Sequence, residues 1–306
     1  MFSDTCFAHF LDVEDIVVNH QLIYQVLLRE VKQPNPDEMW FKIGDSIVSF
    51  TMEDFCLITG LGLEGEDKRS VFDSTYCRIK NEYLNHLSSI STSDISQFFI
   101  NSDYLCDDDV VRFGLLYFLT NLMFTVTYKR LVEESLMVLI DSPEFNSYAW
   151  GKELFKITLS SLKVGLRNKY LIIEGDGKPY LAYRICGFVL AFQVWIYETI
   201  PILDGKFCSR ISSRSPRMLN WTSRVNGTFN YNLNVEKDIF GRPDECCFTK
   251  ESMTRSINAL QSKHEKLISD QFKMKMEIHN LFTDFANSIV DGIEAVTSLI
   301  GLDQLD

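Results

Sequence analysis

No stretch of the sequence is both uncharged and long enough to cross a bilayer. The longest, Phe113 to Tyr128, lies between Arg112 and Lys129 and contains Thr120, Asn121, Thr125 and Thr127. It falls short of the roughly 20 residues a spanning helix needs, and the apolar run Ile185 to Tyr197 is shorter still. Both are expected as buried helices, with no membrane partner. Residues Met1 to Asp12 have no basic n-region and carry Asp4, so no secretory signal is expected there. The eight cysteines (Cys6, Cys56, Cys77, Cys106, Cys186, Cys208, Cys246 and Cys247) include no Cys-x-x-Cys pair. Reduced thiols and an intracellular location are therefore expected, and the sequons Asn220-Trp-Thr222 and Asn226-Gly-Thr228 should stay bare. Positive charge is also scarce: 30 basic against 42 acidic residues give a net charge of −12. Such a field repels phosphate and anionic lipid, which confines any nucleic-acid contact to a local patch.

Chemical motifs are equally sparse. The five histidines are His9, His20, His86, His264 and His279, and none has a partner at helical metal-binding spacing. There is no Gly-x-x-x-x-Gly-Lys loop. The glycines of Gly60-Leu-Gly62-Leu-Glu-Gly65 have the wrong spacing for a dinucleotide fingerprint; they suit a helix stop and a turn. Asp107-Asp-Asp109 is better placed to favour the positive end of a helix dipole than to hold a cation, because adjacent carboxylates diverge. Cys246-Cys247 lacks the further ligands a metal would need. A Cys/His nucleophile pair has no local signature here. No catalytic residue, small-molecule substrate, cofactor or metal is expected.

What the sequence does contain is helical periodicity. Val18, Leu22, Ile23, Val26 and Leu27 predict an amphipathic helix within Asp15–Val31, closed off by Pro34 and Pro36. Met39–Ile43 and Ser46–Phe50 flank Gly44-Asp45 and predict a hairpin. Thr51 with Asp54 forms a capping-box variant, opening a short helix that stops at Gly60. Further helices are expected from Val110 to about Val126, over Leu131–Ile140, Trp150–Val164 and Ala182–Thr199, with a second small hairpin about Gly175-Asp-Gly177. The expected fold class is mainly α: a compact helical domain over 1–221 with one or two small hairpins, then a linker over 222–249, then a long helix of coiled-coil character over 250–300.

Two segments could meet a partner. From Gly205 to Val235 the chain has Lys206, Arg210, Arg214, Arg217 and Arg224, no acidic residue, and many Ser and Asn. It reads as a loop or linker. With Trp221 and Tyr231 nearby, the four arginines are the only nucleic-acid candidates, contacting phosphate while the rings stack on bases. The competing reading, preferred at this pI of about 4.9, is a basic loop lying against the protein's own acidic body. The second segment carries a 3-4 seam of Met253, Ile257, Leu260, His264, Leu267, Gln271, Met274, Ile278, Leu281 and Phe285. Such a seam predicts self-association or docking through the C-terminal helix, with His264 and Gln271 as register-fixing interruptions.

Five stretches, taken together, resemble a known family. They are Met39-Trp-Phe-Lys-Ile-Gly44 through Phe50, Glu53 through Leu61 with its Thr-Gly-Leu turn, Asp141 through Gly151, Gly187 through Pro201, and Arg217-Met-Leu-Asn-Trp221. In this order they are similar to the plant domain of unknown function that often precedes a ubiquitin-like-protein-specific cysteine protease domain in transposon-derived proteins. A more distant likeness, in the hairpin-then-helix unit, is to the plant mobile domain. The resemblance implies a mainly helical, nuclear domain of mobile-element ancestry with no assigned activity, and it carries over no catalytic residue. The protease half has no counterpart in this sequence, so the expected function is a non-catalytic interaction module. The alternatives are a nucleic-acid-binding remnant using segment 206–224 and an accessory domain of a protease encoded elsewhere. Trp40, Phe55, Gly60, Leu61, Trp150, Gly151, Phe188, Phe192, Trp195 and Pro201 are the motif positions expected to build the core. Glu198 stands out as a possible partner for Arg184 or another buried cation.

Overall fold

A computed structural model describes residues 2–229, apart from 75, 102–105, 126–130, 166–169, 174–178, 183–184 and 226–227. Residues 230–249 of the expected linker, with Tyr231 and the Cys246-Cys247 pair, and the ten seam positions from Met253 to Phe285 lie outside the described residues, as does Arg184.

Local sequence dictates the first unit. Glycine tolerates the positive φ that a two-residue hairpin loop demands, and Gly44 has φ 57°. β2 (Met39–Ile43) and β3 (Ser46–Phe50) therefore pair antiparallel, with Ile43 opposite Ser46 and Met39 opposite Phe50. β1 (Glu30–Val31) adds the third strand, Glu30 opposite Phe41. Thr51 Oγ1 accepts from the Asp54 amide at 3.2 Å while the Asp54 carboxylate accepts from the Thr51 amide at 3.1 Å. This reciprocal cap opens α2 (Met52–Thr59), which ends at Gly60 with φ 73°.

The first helix departs from expectation. α1 spans only His20–Leu27, capped by the Asn19 side chain on the Leu22 amide at 3.0 Å. The residues before it are extended because long-range partners capture their backbone. Gln193 donates to the Val17 carbonyl at 2.7 Å and accepts from the Asn19 amide at 2.6 Å, while the Ser223 amide donates to the Asp15 carbonyl at 2.8 Å. Residues 30–31 are taken by the sheet.

α3 (Arg78–Tyr83) and α4 (Thr92–Asn101) lead to α5 (Asp107–Phe118), prolonged by one π turn over Leu119–Met123. α6 (Glu134–Asp141) stops before Pro143, and α7 (Trp150–Gly165) begins at the buried Trp150, whose indole N–H donates to the Phe145 carbonyl at 2.8 Å. β4 (Tyr170–Ile173) and β5 (Pro179–Ala182) form the second antiparallel hairpin. α8 covers Val189–Thr199, not Ala182–Thr199. Gly187, at φ 85°, sets the entry: a Cβ there would lie 2.5 Å from Thr158 Oγ1, the atom that accepts from the Phe188 amide at 2.9 Å. A left-handed residue pressed onto α7 forces the helix to start later.

α8 is also more central than an amphipathic stripe would be, since Ala191 to Tyr197 are all buried. Residues buried on every face mark a core helix. α2 and α1 pack on it, and α2 also meets α7. The Phe192 and Trp195 rings stack at 5.5 Å, and Phe41 and Phe50 of the sheet lie within 5.5 Å of both. A second aromatic cluster joins Phe7, Phe118, Phe145 and Trp150. Each such ring contributes roughly 1.5–3 kcal/mol by leaving water. Of the motif positions, Phe55, Leu61, Trp150, Gly151, Phe188, Phe192 and Trp195 are buried. Trp40 is half-buried, because β2 alternates and turns Met39 and Phe41 inward instead; its indole donates to Glu38 at 2.6 Å. Gly60 and Pro201 are exposed at chain reversals.

The segment from Gly205 is not a free linker. β6 (Ser209–Arg210) pairs with β7 (Trp221–Thr222), β8 (Arg224–Val225) pairs with β9 (Thr228–Phe229), and Met218 through Ser223 are buried. Its polar composition reflects side chains that hydrogen-bond the loop to itself. Among the described residues no helix is long and apolar enough to cross a membrane.

Candidate functional site

The last turn of α8, the turn after it and the 209–221 loop enclose a cleft of about 550 Å³. Tyr197, Glu198, Asp204, Arg210, Arg214 and Arg217 line it, with Trp221 at its floor. The volume lies within the roughly 300–1,000 Å³ of ordinary ligand sites. Three of the four sequence-flagged arginines therefore converge. Arg224 does not; it pairs with Asp15 at 2.8 Å.

Two polar clasps hold the walls. Asp204 Oδ1 accepts from the Arg210 amide at 3.1 Å, fixing the start of the loop. Asn220, only 3% exposed, accepts from the Ser212 hydroxyl at 2.7 Å and the Arg214 amide at 2.6 Å, and donates to the Arg214 carbonyl at 2.9 Å. Asn220 thus sets the backbone from which Arg214 projects, and a sequon asparagine so engaged is closed to modification. From below, Pro216 rests on the α2 stop. A Cβ on Gly60 would lie 2.9 Å from the proline ring, so glycine is required there for closeness as well as for φ.

The charges in the cleft are unevenly matched. Glu198 takes Arg217 at 3.0 Å and the Trp221 indole N–H at 3.4 Å, which answers the search for its cation: the partner is Arg217. Arg210 and Arg214 have no carboxylate partner among the described residues. Arg210 Nε reaches the Ser212 carbonyl at 3.3 Å, and Arg214 has only 3.5 Å contacts with Ser212 and Leu219. Both residues are exposed, so their remaining donors face water and can exchange it for a ligand's acceptors. Sequence reasoning found the arginines and Glu198. It missed Tyr197, Asp204, Ser213 and Asn220, for which the only local hint was the Asp204-Gly205 turn.

Elsewhere several reactive side chains are buried or already engaged. Burial pushes the Cys6 thiol up to about 12, and burial together with the Glu53 charge does the same for Cys56. Cys77 and Cys208 are raised for the same first reason. His9 Nε2 sits 2.6 Å from the Thr59 carbonyl. Asp107, Asp108 and Asp109 do occupy the first turn of α5, but Asp109 is clamped by Arg78 at 2.6 Å and by the Tyr83 hydroxyl at 2.5 Å, so a cation has no claim on it. Among the described residues no cluster of three or more metal-ligating side chains occurs.

The fold and cleft define a mainly helical domain with small antiparallel sheets and an arginine-walled polar site at one end of its central helix. Residues 27–161 match the family model described as Domain of unknown function (DUF1985). That match carries the stretches 39–50, 53–61 and 141–151, while the two stretches that meet at the cleft, 187–201 and 217–221, lie beyond it. No curated protein and no solved structure matches this chain.

Proposed function

We propose that the chain is a non-catalytic protein-interaction module that docks a partner at the arginine-walled cleft. The observation that carries this reading is the pair of guanidinium groups, Arg210 and Arg214, held in a preformed concave site without carboxylate partners among the described residues. Both guanidinium groups are exposed, and a partner's carboxylate would replace water on them with charge-assisted, bidentate hydrogen bonds. Trp221, at 4% exposure, offers no open face on which a base could stack, which weighs against the nucleic-acid reading. Self-association through the seam from Met253 to Phe285 belongs to the same proposal, as do mobile-element ancestry and residence in the nucleus.

Affinity capture from native tissue, with wild type and the double variant Arg210→Glu/Arg214→Glu as paired baits, tests the docking arm. Partners retained by wild type and lost by the variant are expected; identical sets would remove the cleft from the function. Light scattering on the full chain and on Leu260→Glu/Leu267→Glu tests the second arm. A dimeric or larger wild type and a monomeric variant are expected, and equal monomeric masses would end the self-association claim.

A further inference from the structure

The cleft's own chemistry narrows what it can hold, granted the docking reading above. Its walls are mixed. Arg210 and Arg214 offer donors and positive charge, while Asp204 has one carboxylate oxygen engaged by the Arg210 amide and the other facing no hydrogen-bond partner among the described residues. Ser213 adds a hydroxyl on the same rim. A ligand that satisfies such a wall must present acceptors with negative charge and N–H donors alternately. A sugar-phosphate backbone presents charged acceptors without N–H donors, and so leaves the free Asp204 oxygen unanswered. An extended peptide with acidic side chains presents both: carboxylates for the two guanidinium forks, and backbone amides for Asp204 and Ser213.

We infer that the cleft between the end of α8 and the 209–221 loop binds an acidic peptide segment, its Asp or Glu side chains paired with Arg210 and Arg214 and its backbone amides with Asp204. The Glu198 carboxylate balances the charge of the third arginine, Arg217, so the cleft reads two negative charges rather than a polyanion. A net charge of −12 opposes any anion that the two open guanidinium groups do not capture directly.

The test is fluorescence anisotropy on the full chain with fluorescein-labelled Glu-Gly repeat peptide. Gln-Gly repeat peptide and oligo-dT of equal length run alongside. Glu-Gly peptide should bind and Gln-Gly should not. Arg210→Glu/Arg214→Glu should weaken binding about tenfold or more, the size expected from losing charge-assisted hydrogen bonds. Lys42→Glu, an exposed charge reversal on β2, should leave it unchanged. Matching circular dichroism melts of all three proteins show that folding is not the variable. No binding of Glu-Gly peptide by wild type, or equal loss on Lys42→Glu, overturns the ligand class. Tighter binding of oligo-dT that disappears in the double variant overturns it in favour of nucleic acid. The docking reading has its own readout: if the capture experiment still loses a partner with the double variant while Glu-Gly peptide fails to bind, the module stands and only its acidic ligand falls.

Discussion

The guanidinium of Arg78 is divided among Asp109, Asp141 and Glu82 at 2.6 to 3.1 Å. Among the described residues, that of Arg210 meets only the Ser212 carbonyl, at 3.3 Å. Around Asp109 the matching continues outward: Arg112 bonds both Asp109 and Asp141, the Tyr83 hydroxyl and the Cys106 thiol also donate to Asp109, and its side chain is 3% exposed. This knot ties α3 and α6 to the first turn of α5, three segments far apart in sequence. Around the cleft the order is reversed. Asp204 and Asn220 hold the loop backbone, while the Arg210 and Arg214 heads have no carboxylate partner among the described residues. The difference teaches where each kind of charge acts: a closed ionic knot holds elements in place, and an open one on a rigid frame is available to a ligand.

The comparison breaks most visibly at Asp109. Asp109→Asn leaves Arg78 and Arg112 sharing Asp141, and should cost about 3 kcal/mol. That is the lower part of the range for uncoupling a buried pair, because Arg78 keeps some solvent. A urea midpoint shift smaller than that of any cleft variant would sink the distinction. The same residue sets an acid signature. Hydrogen bonds from Arg78, then from Tyr83 and Cys106, hold the Asp109 carboxyl well below the usual carboxylate range. Its folded pKa is thus under the unfolded value of about 3.9. The stability it contributes is complete above that value and is lost as pH falls through the folded one. Urea midpoints of wild type should drop steeply below about pH 4, and Asp109→Asn should flatten that slope.

Asn220→Ala comes next. It removes two accepted hydrogen bonds and one donated one from a site 3% exposed and should cost about 1–3 kcal/mol. Because it frees the Arg214 backbone, it should also blunt Glu-Gly peptide binding in proportion, a coupling that Asp109→Asn should not show. Glu198→Gln should fall lower, at about 0–1 kcal/mol, since Arg217 is 46% exposed in that pair and water replaces the partner. Denaturant midpoints rank these three directly.

That ranking follows how far each feature reaches along the chain, and so does how readable each was in advance. The Gly44-Asp45 hairpin and the Thr51–Asp54 cap are decided within a few residues, and both stand where sequence places them. α8 begins late because Thr158 holds Gly187 and Phe188 from 29 and 30 positions away, which no local window contains. Asp109 has the look of a dipole-capping carboxylate because its real partner, Arg78, lies 31 residues upstream. The 209–221 loop has linker composition, yet Ser212 bonds Asn220 and Asn220 bonds the Arg214 backbone. Periodicity cannot register such bonds. Three arginines were visible as residues, but the concavity that gathers them depends on α8, the Asp204 turn and Gly60 under Pro216.

The smallest expected effect separates the two regions most cleanly. Arg210→Gln/Arg214→Gln removes two charges that no carboxylate among the described residues holds, so the fold should barely register it: within about 0.5 kcal/mol, the ordinary range for surface substitutions. The sign still carries information. The chain is already at −12, and each change deepens its excess of negative charge, so self-repulsion should make the variant slightly less stable at low ionic strength. That residue of an effect should vanish as salt shortens the screening length to about 3 Å near 1 M. A direct ion pair hidden in the loop would behave otherwise, costing over about 1 kcal/mol and persisting in salt as partly buried pairs do. Urea titrations of wild type and variant at two ionic strengths discriminate these cases. A large, salt-insensitive loss would mean that Arg210 and Arg214 brace the loop as Arg78 braces the helices, and the cleft would then be a second structural knot with nothing left to offer a partner.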